Sequence, residues 1–109
     1  MTTEYGYDLF SSHDYVIPPG ERCLISTGVK YTPIPGTVGM ITGIIGLAVK
    51  HGVDVAQGVL DSTYNDEIKV LMYNHDRYEP YYIKAGYRVA VMTLINTNVQ
   101  PTYYKVTGV

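Results

Sequence analysis

Side chains able to do chemistry are sparse in this chain, so their placement matters more than their number. The three histidines, His13, His51 and His75, share no spacing that would gather them around a metal, and they read as surface or packing residues. Cys23 is the single cysteine, which leaves no disulfide framework and no CxxC pair; it reads as a small buried hydrophobe. Two aspartates stand in suggestive settings: Asp8 after Gly6-Tyr7, and Asp61 beside Ser62 and Thr63. In either setting an aspartate can also simply fix a turn. Lys50, Arg77 and Arg88 can steer an anion or serve as solvated surface charge. Twelve tyrosines against one phenylalanine and no tryptophan suit half-wet sheet faces and a subunit interface, with stacking on a planar ligand as the alternative. The ending Thr107-Gly108-Val109 fits the Ser/Thr-x-Val ligand of PDZ domains, which capture such tails by strand addition.

The framework that must hold these residues is all-β. The 109 residues suffice for a single domain, 1–109, with no repeat, low-complexity tract or linker to divide it. A formal charge of -2 with scattered basic residues offers no stripe for a phosphate backbone, so nucleic acid is not an expected partner. The start MTTEYGYDLF has neither a basic segment nor an apolar run, so neither a signal peptide nor a membrane partner is expected, and the expected location is cytoplasmic. Period-two apolar patterning predicts strands over Arg22–Tyr31, Gly39–Thr42, Val53–Leu60, Glu67–Asn74, Tyr81–Ile83, Arg88–Thr97 and Thr102–Val106. Val53–Leu60 and Glu67–Asn74 are predicted to form a hairpin around Asn65-Asp66. Gly46–His51 is the single helical turn. About ten short strands with tight turns make a sandwich or jelly roll the natural architecture.

Four segments, in order, resemble the motifs of the trimeric dUTPases, which split dUTP into dUMP and pyrophosphate. Gly6-Tyr7-Asp8-Leu9 is similar to AGYDL; Gly46-Leu47-Ala48-Val49-Lys50-His51-Gly52-Val53-Asp54-Val55 to the end of PRSGLAxKHGIDV; Gly58-Val59-Leu60-Asp61-Ser62-Thr63-Tyr64 to GVIDxDY; and Gly86-Tyr87-Arg88-Val89-Ala90 to GDRIAQL. The resemblance implies a distorted jelly roll assembled as a homotrimer. It also implies a nucleoside site at Gly58, Val59, Leu60, Asp61 and Tyr64, read by backbone groups, with Tyr64 under the deoxyribose. Asp61 would position the attacking water, Asp8 would hold Mg2+ through water, and Gly46 and Lys50 would lie on the phosphate side.

The pattern breaks where the phosphates should be gripped. Ile44-Ile45 replaces the family's Arg-Ser, Val91 replaces its glutamine, Tyr87 and Thr63 replace aspartates, and Asn65-Asp66 replaces Arg-Gly. Charge-assisted hydrogen bonds of the missing kind contribute roughly 1.5 to 3 kcal/mol each. The family's glycine-rich arm with its arginine has no counterpart in Lys105-Val106-Thr107-Gly108-Val109. The expected function is therefore a protein that binds a nucleotide or nucleotide-like signal without efficient hydrolysis. A viral sequestering role is the suggested setting, in the host cytoplasm or nucleus. The alternatives are an active or weak dUTPase using Mg2+, and a PDZ-binding module.

Overall fold

A computed structural model of the chain describes residues 5–32, 34–61 and 63–97. In chain order these hold β1 (Tyr5–Phe10), β2 (Tyr15–Ile17), β3 (Arg22–Lys30), β4 (Thr37–Thr42), α1 (Ile45–His51), β5 (Val53–Val55), β6 (Gly58–Leu60), β7 (Glu67–Asn74), β8 (Tyr81–Ile83) and β9 (Arg88–Asn96). The strand predicted at 102–106 and the tail Thr107-Gly108-Val109 lie outside the described residues.

Alternation decides the layers. In β7, Ile68, Val70, Met72 and Asn74 turn inward, and in β3 Ile25 and Thr27 do the same. Each such Ile, Val or Met contributes about 1.5 to 3 kcal/mol on burial. One antiparallel sheet runs β1-β9-β4-β6, a second β3-β7-β5, and a two-stranded ribbon pairs β2 with β8. Ile17, Ile25, Val53, Ile68, Val70, Met72, Ile83, Val89 and Ala90 are all but sealed between them. The all-β jelly-roll fold expected from the strand pattern is the one observed. Asn74 is the most deeply buried polar residue among the described residues and is fully used: its Nδ2 donates to the carbonyls of Ile17 (3.0 Å) and Glu79 (2.9 Å), and its Oδ1 accepts from the Asp76 amide (3.0 Å).

Four details depart from the sequence reading. The predicted hairpin is not one: Val53–Leu60 breaks at Ala56-Gln57. Val55 stays opposite Met72 of β7, whereas Gly58 moves to pair with Ile41 of β4 in the other sheet. The last tie to β7 is the Ala56 amide on the Leu71 carbonyl at 2.9 Å. A continuous apolar run cannot reveal such a change of partner, because both halves bury alternate side chains. The helix begins one residue early, with Ile44 at its N-cap and no side-chain capping bond. It ends where Gly52 (φ 68°) turns left-handed and donates to the carbonyls of Ala48 and Leu47. Cys23 packs against the core from its margin and is only partly buried. Finally, β1 and β2 are strands that the patterning did not single out; Gly6 and Asp8 are poor strand formers, and their pairing to β9 supplies the order.

Candidate functional site

The candidate residues fall into two groups at opposite ends of the β1-β9-β4-β6 sheet. At one end, Asp8 of β1 lies opposite Val91 of β9, and Val91 lies opposite Thr42 of β4. From Thr42, level with Asp8 two strands away, the chain passes through Gly43 and Ile44 into α1, which carries Gly46 and packs against β5. Arg88 Nη1 donates to Asp8 Oδ1 at 3.2 Å, with both side chains about half exposed. Lys50 stands exposed in the last turn of α1. Where phosphate-gripping groups were expected, the surface is apolar and solvent-facing: Ile45 is 79% exposed, and Val49, one turn on, is 77% exposed.

At the other end, β6 forms the sheet edge and hands the chain to the loop bearing Asp61 and Tyr64. Among the described residues only one side of β6 is paired, with Leu60 opposite Gly39 and Gly58 opposite Ile41. Backbone groups on its other side are available to a planar polar ligand in the way an added strand would use them. Leu60 anchors the edge in the core, Val59 points out, and an added Cβ at Gly58 would meet nothing within 4 Å, so the approach to the edge is open.

Asp61 Oδ1 accepts two bonds from Thr63, from its hydroxyl at 2.5 Å and its amide at 2.9 Å. The Thr63 hydroxyl bond, followed by the Thr63 and Tyr64 amides, holds the Asp61 carboxyl below its ordinary pKa, so this group remains a carboxylate well into acid. The turn-fixing reading of Asp61 is thus observed, and it leaves the residue in the charge state that orienting a water requires. Tyr64 is half-buried; its amide donates to the Asp61 carbonyl at 3.1 Å and its hydroxyl to the Glu67 carbonyl. Desolvation, with Asp66 and Glu67 nearby, raises its pKa and keeps the ring neutral. Thr63, which the sequence marked only as a lost aspartate, is the residue that holds the Asp61 carboxylate. The signal was legible as an Asp-x-Thr turn.

The two ends do not meet within one subunit. Asp61 follows Leu60 and is level with Val38, four residues along β4 from Thr42, which is level with Asp8. Four residues along a strand and three strand spacings across separate the two carboxylates by roughly 20 Å.

A single carboxylate at the Asp8 end is a sparse donor set, and among the described residues no three His, Cys, Asp or Glu side chains gather to hold an ion. It suits a hard cation that takes most of its oxygens from water and phosphate, as magnesium does, and it would not retain a metal alone. Among the described residues no helix is long and apolar enough to cross a membrane.

The chain is 42% identical over 89 residues to deoxyuridine 5'-triphosphate nucleotidohydrolase of Candida glabrata, covering 82% of this chain and 61% of that protein. It is 40% identical over 92 residues to the Saccharomyces cerevisiae enzyme of that name, covering 84% and 62%. The chain thus spans about three fifths of the length of these relatives. In shape it is similar to a mutant dUTPase of phage phi11 of S. aureus that coordinates a structural Mg(II) ion (TM-score 0.80, 22% identity, 94% of this chain and 83% of that one). It is also similar to the EIAV dUTPase (TM-score 0.77, 26% identity, 93% and 82%). The dUTPase family model matches residues 2–107, and the chain belongs to the dUTPase family.

Proposed function

We propose that the protein is a dUTP diphosphatase, a single domain over residues 1–109 that assembles as a homotrimer and converts dUTP and water to dUMP and pyrophosphate. The observation that carries this reading is the Asp61–Tyr64 loop, where an ionised carboxylate locked by Thr63 stands next to a neutral, half-buried tyrosine at an open strand edge. The relatives' names favour turnover over binding alone, which reverses the weight that the sequence departures gave to a non-hydrolysing, virus-derived binder. The free edge of β6 at Gly58, Val59 and Leu60 reads the pyrimidine through backbone groups. The Tyr64 ring packs under the deoxyribose and leaves no room for a ribose 2′-hydroxyl. Asp61 orients a water and takes its proton as the oxygen attacks the α-phosphorus and the bond to the pyrophosphate leaving group breaks. Asp8 would hold Mg2+ through water, which neutralises charge on the phosphates when bound. Gly46 and Lys50 face the same end. With Asp8 and Asp61 roughly 20 Å apart along and across the sheet, the site is completed between subunits, the Asp8 end of one facing the Asp61 loop of another.

One observation favours a second reading, nucleotide binding with little hydrolysis: exposed Ile45 and Val49 give the phosphate end an apolar surface where charged donors would stabilise the reaction. Pyrophosphate release from dUTP by the wild type and by Asp61→Asn decides between them. We expect release with the wild type and a loss of at least about a hundredfold with Asp61→Asn. Background rates for both, with dUMP still bound in calorimetry, favour the second reading, and no nucleotide binding refutes both.

A further inference from the structure

We infer that Tyr31 is a positioning residue that sets the height and tilt of Tyr64, and through it the preference for deoxyribose over ribose. This rests on the reading above that Tyr64 lies under the sugar. Tyr31 directly follows β3 and is buried, only 7% exposed. It meets the nucleoside-side loop at three places. Its amide donates to the Asp66 carbonyl at 3.2 Å, on the far side of the loop. Its ring packs against the Tyr64 ring, with centroids 6.3 Å apart and planes tilted by 47°. Its hydroxyl reaches beneath β4, where a Cβ added to Gly39 would lie 3.6 Å from the Tyr31 oxygen and 3.0 Å from Met92 Sδ. Gly39 is the residue opposite Leu60, so the tip of Tyr31 sits under the strand pair that leads into Asp61.

The hydroxyl is buried without a hydrogen-bond partner among the described residues. A buried polar group left unpaired is unfavourable, and phenylalanine would fill the same space without that cost. The ring is therefore the operative part: it spans from Asp66 to Gly39 and supports Tyr64 from the core side. The Tyr64 amide bond to the Asp61 carbonyl stays within the loop, and its hydroxyl bond to the Glu67 carbonyl holds the ring to the first residue of β7. Tyr31 adds the ring contact on the side that reaches β4. Edge or tilted aromatic pairs add about 0.5 to 1.5 kcal/mol beyond their burial, equivalent to a factor of about two to ten.

The test compares the full-length wild type, Tyr31→Phe and Tyr31→Leu in two measurements: amide hydrogen exchange at Thr63 and Tyr64, and titration with dUMP and UMP. The Leu variant is expected to exchange faster at both amides than at β7 amides. Its dUMP-over-UMP preference should narrow by about two- to tenfold, and the Phe variant should match the wild type in both. Tyr31→Met serves as the ring-deleting variant if Leu prevents folding. A variant without the ring that exchanges like wild type at Thr63 and Tyr64 overturns the inference, as does a uniform rise in exchange with the nucleotide preference unchanged. A Phe variant that behaves like Leu also overturns it, because the hydroxyl would then be the operative group. Should the wild type bind neither nucleotide, the functional proposal fails, and the sugar preference assigned to Tyr31 fails with it. The exchange comparison then still decides whether Tyr31 positions Tyr64.

Discussion

In the proposed reaction Asp61 is the residue on which hydrolysis turns, and its pKa is lowered by a neighbour the motif comparison discounted. The Thr63 hydroxyl is the largest of the contacts lowering the Asp61 pKa. Thr63→Val keeps the amide bond and removes the hydroxyl, so the carboxyl returns toward its ordinary value. Because the lowered pKa extends the carboxylate form to more acid pH, the acid limb of the kcat/KM profile should shift to higher pH in this variant; an unmoved limb removes Asp61 from the water-positioning role. At the other end of the sheet, the pair Ile44-Ile45 stands where the family carries Arg-Ser. Replacing them as Ile44→Arg/Ile45→Ser returns a guanidinium and a hydroxyl to the start of α1, which has no side-chain cap. At roughly 1.5 to 3 kcal/mol per charge-assisted bond made to the phosphates in the transition state, kcat should rise about tenfold or more in the pyrophosphate assay. An unchanged kcat would mean that the phosphate chain never reaches this turn. The identity of these residues was fully legible in the sequence. The Asp61–Thr63 pairing and the Asp8–Arg88 ion pair were not, since one depends on turn geometry and the other joins residues eighty positions apart.

Among the elements, the junction of β3 and β7 shows how a loop of this kind is held level. The pairing of β3 with β7 slips between Ser26 and Lys30, where Gly28 takes φ 72°. Glu67, the first residue of β7, closes the slip by accepting bonds from the Ser26 hydroxyl and, at 2.7 Å, from the Gly28 amide. These bonds, with Lys69 and His13 contributing at longer range, keep its pKa below the ordinary glutamate value. A carboxyl whose pKa is lower in the folded state stabilises the fold above its unfolded pKa, and that contribution disappears as pH falls through the folded value. Glu67→Gln should therefore lower Tm near neutral pH, and the gap to wild type should close as the pH drops below the ordinary glutamate range in thermal melts. A gap independent of pH would assign the effect to lost packing. The strand positions of β3, β7 and β9 were readable from alternation, and α1 from its closing glycine. What alternation could not carry was partner choice: Val55 and Leu60 both look inward, yet they belong to different sheets. The same ambiguity hid β1, whose order comes from β9 across the whole length of the chain.

At the scale of the molecule, the sheet β1-β9-β4-β6 has a face that the single subunit does not cover. The registers put Val59 of β6, Met40 of β4 and Thr93 of β9 side by side on it, and Val38 beside Ile95. Val59 is 61% exposed and Ile95 37%. In the proposed homotrimer a second and third copy of the chain would bury this apolar strip and carry the Asp8 end of one subunit to the Asp61 loop of the next, across the roughly 20 Å between the two half-sites. Light scattering should give about three times the 12.1 kDa chain mass. Ile95→Asp places a charge on the strip outside the nucleoside site and leaves the core residues beneath it untouched, so the expected product is a folded monomer with normal strand signal by circular dichroism and no dUTP turnover. Because each site would draw on two chains, mixing the inactive Asp61→Asn and Asp8→Asn trimers after subunit exchange should restore part of the activity: some mixed sites pair a wild-type Asp8 end with a wild-type Asp61 loop from different chains. If each subunit instead built its whole site alone, the mixture would stay as inactive as its parents, and a wild-type monomer that turns over dUTP at the full rate would overturn the shared site as well.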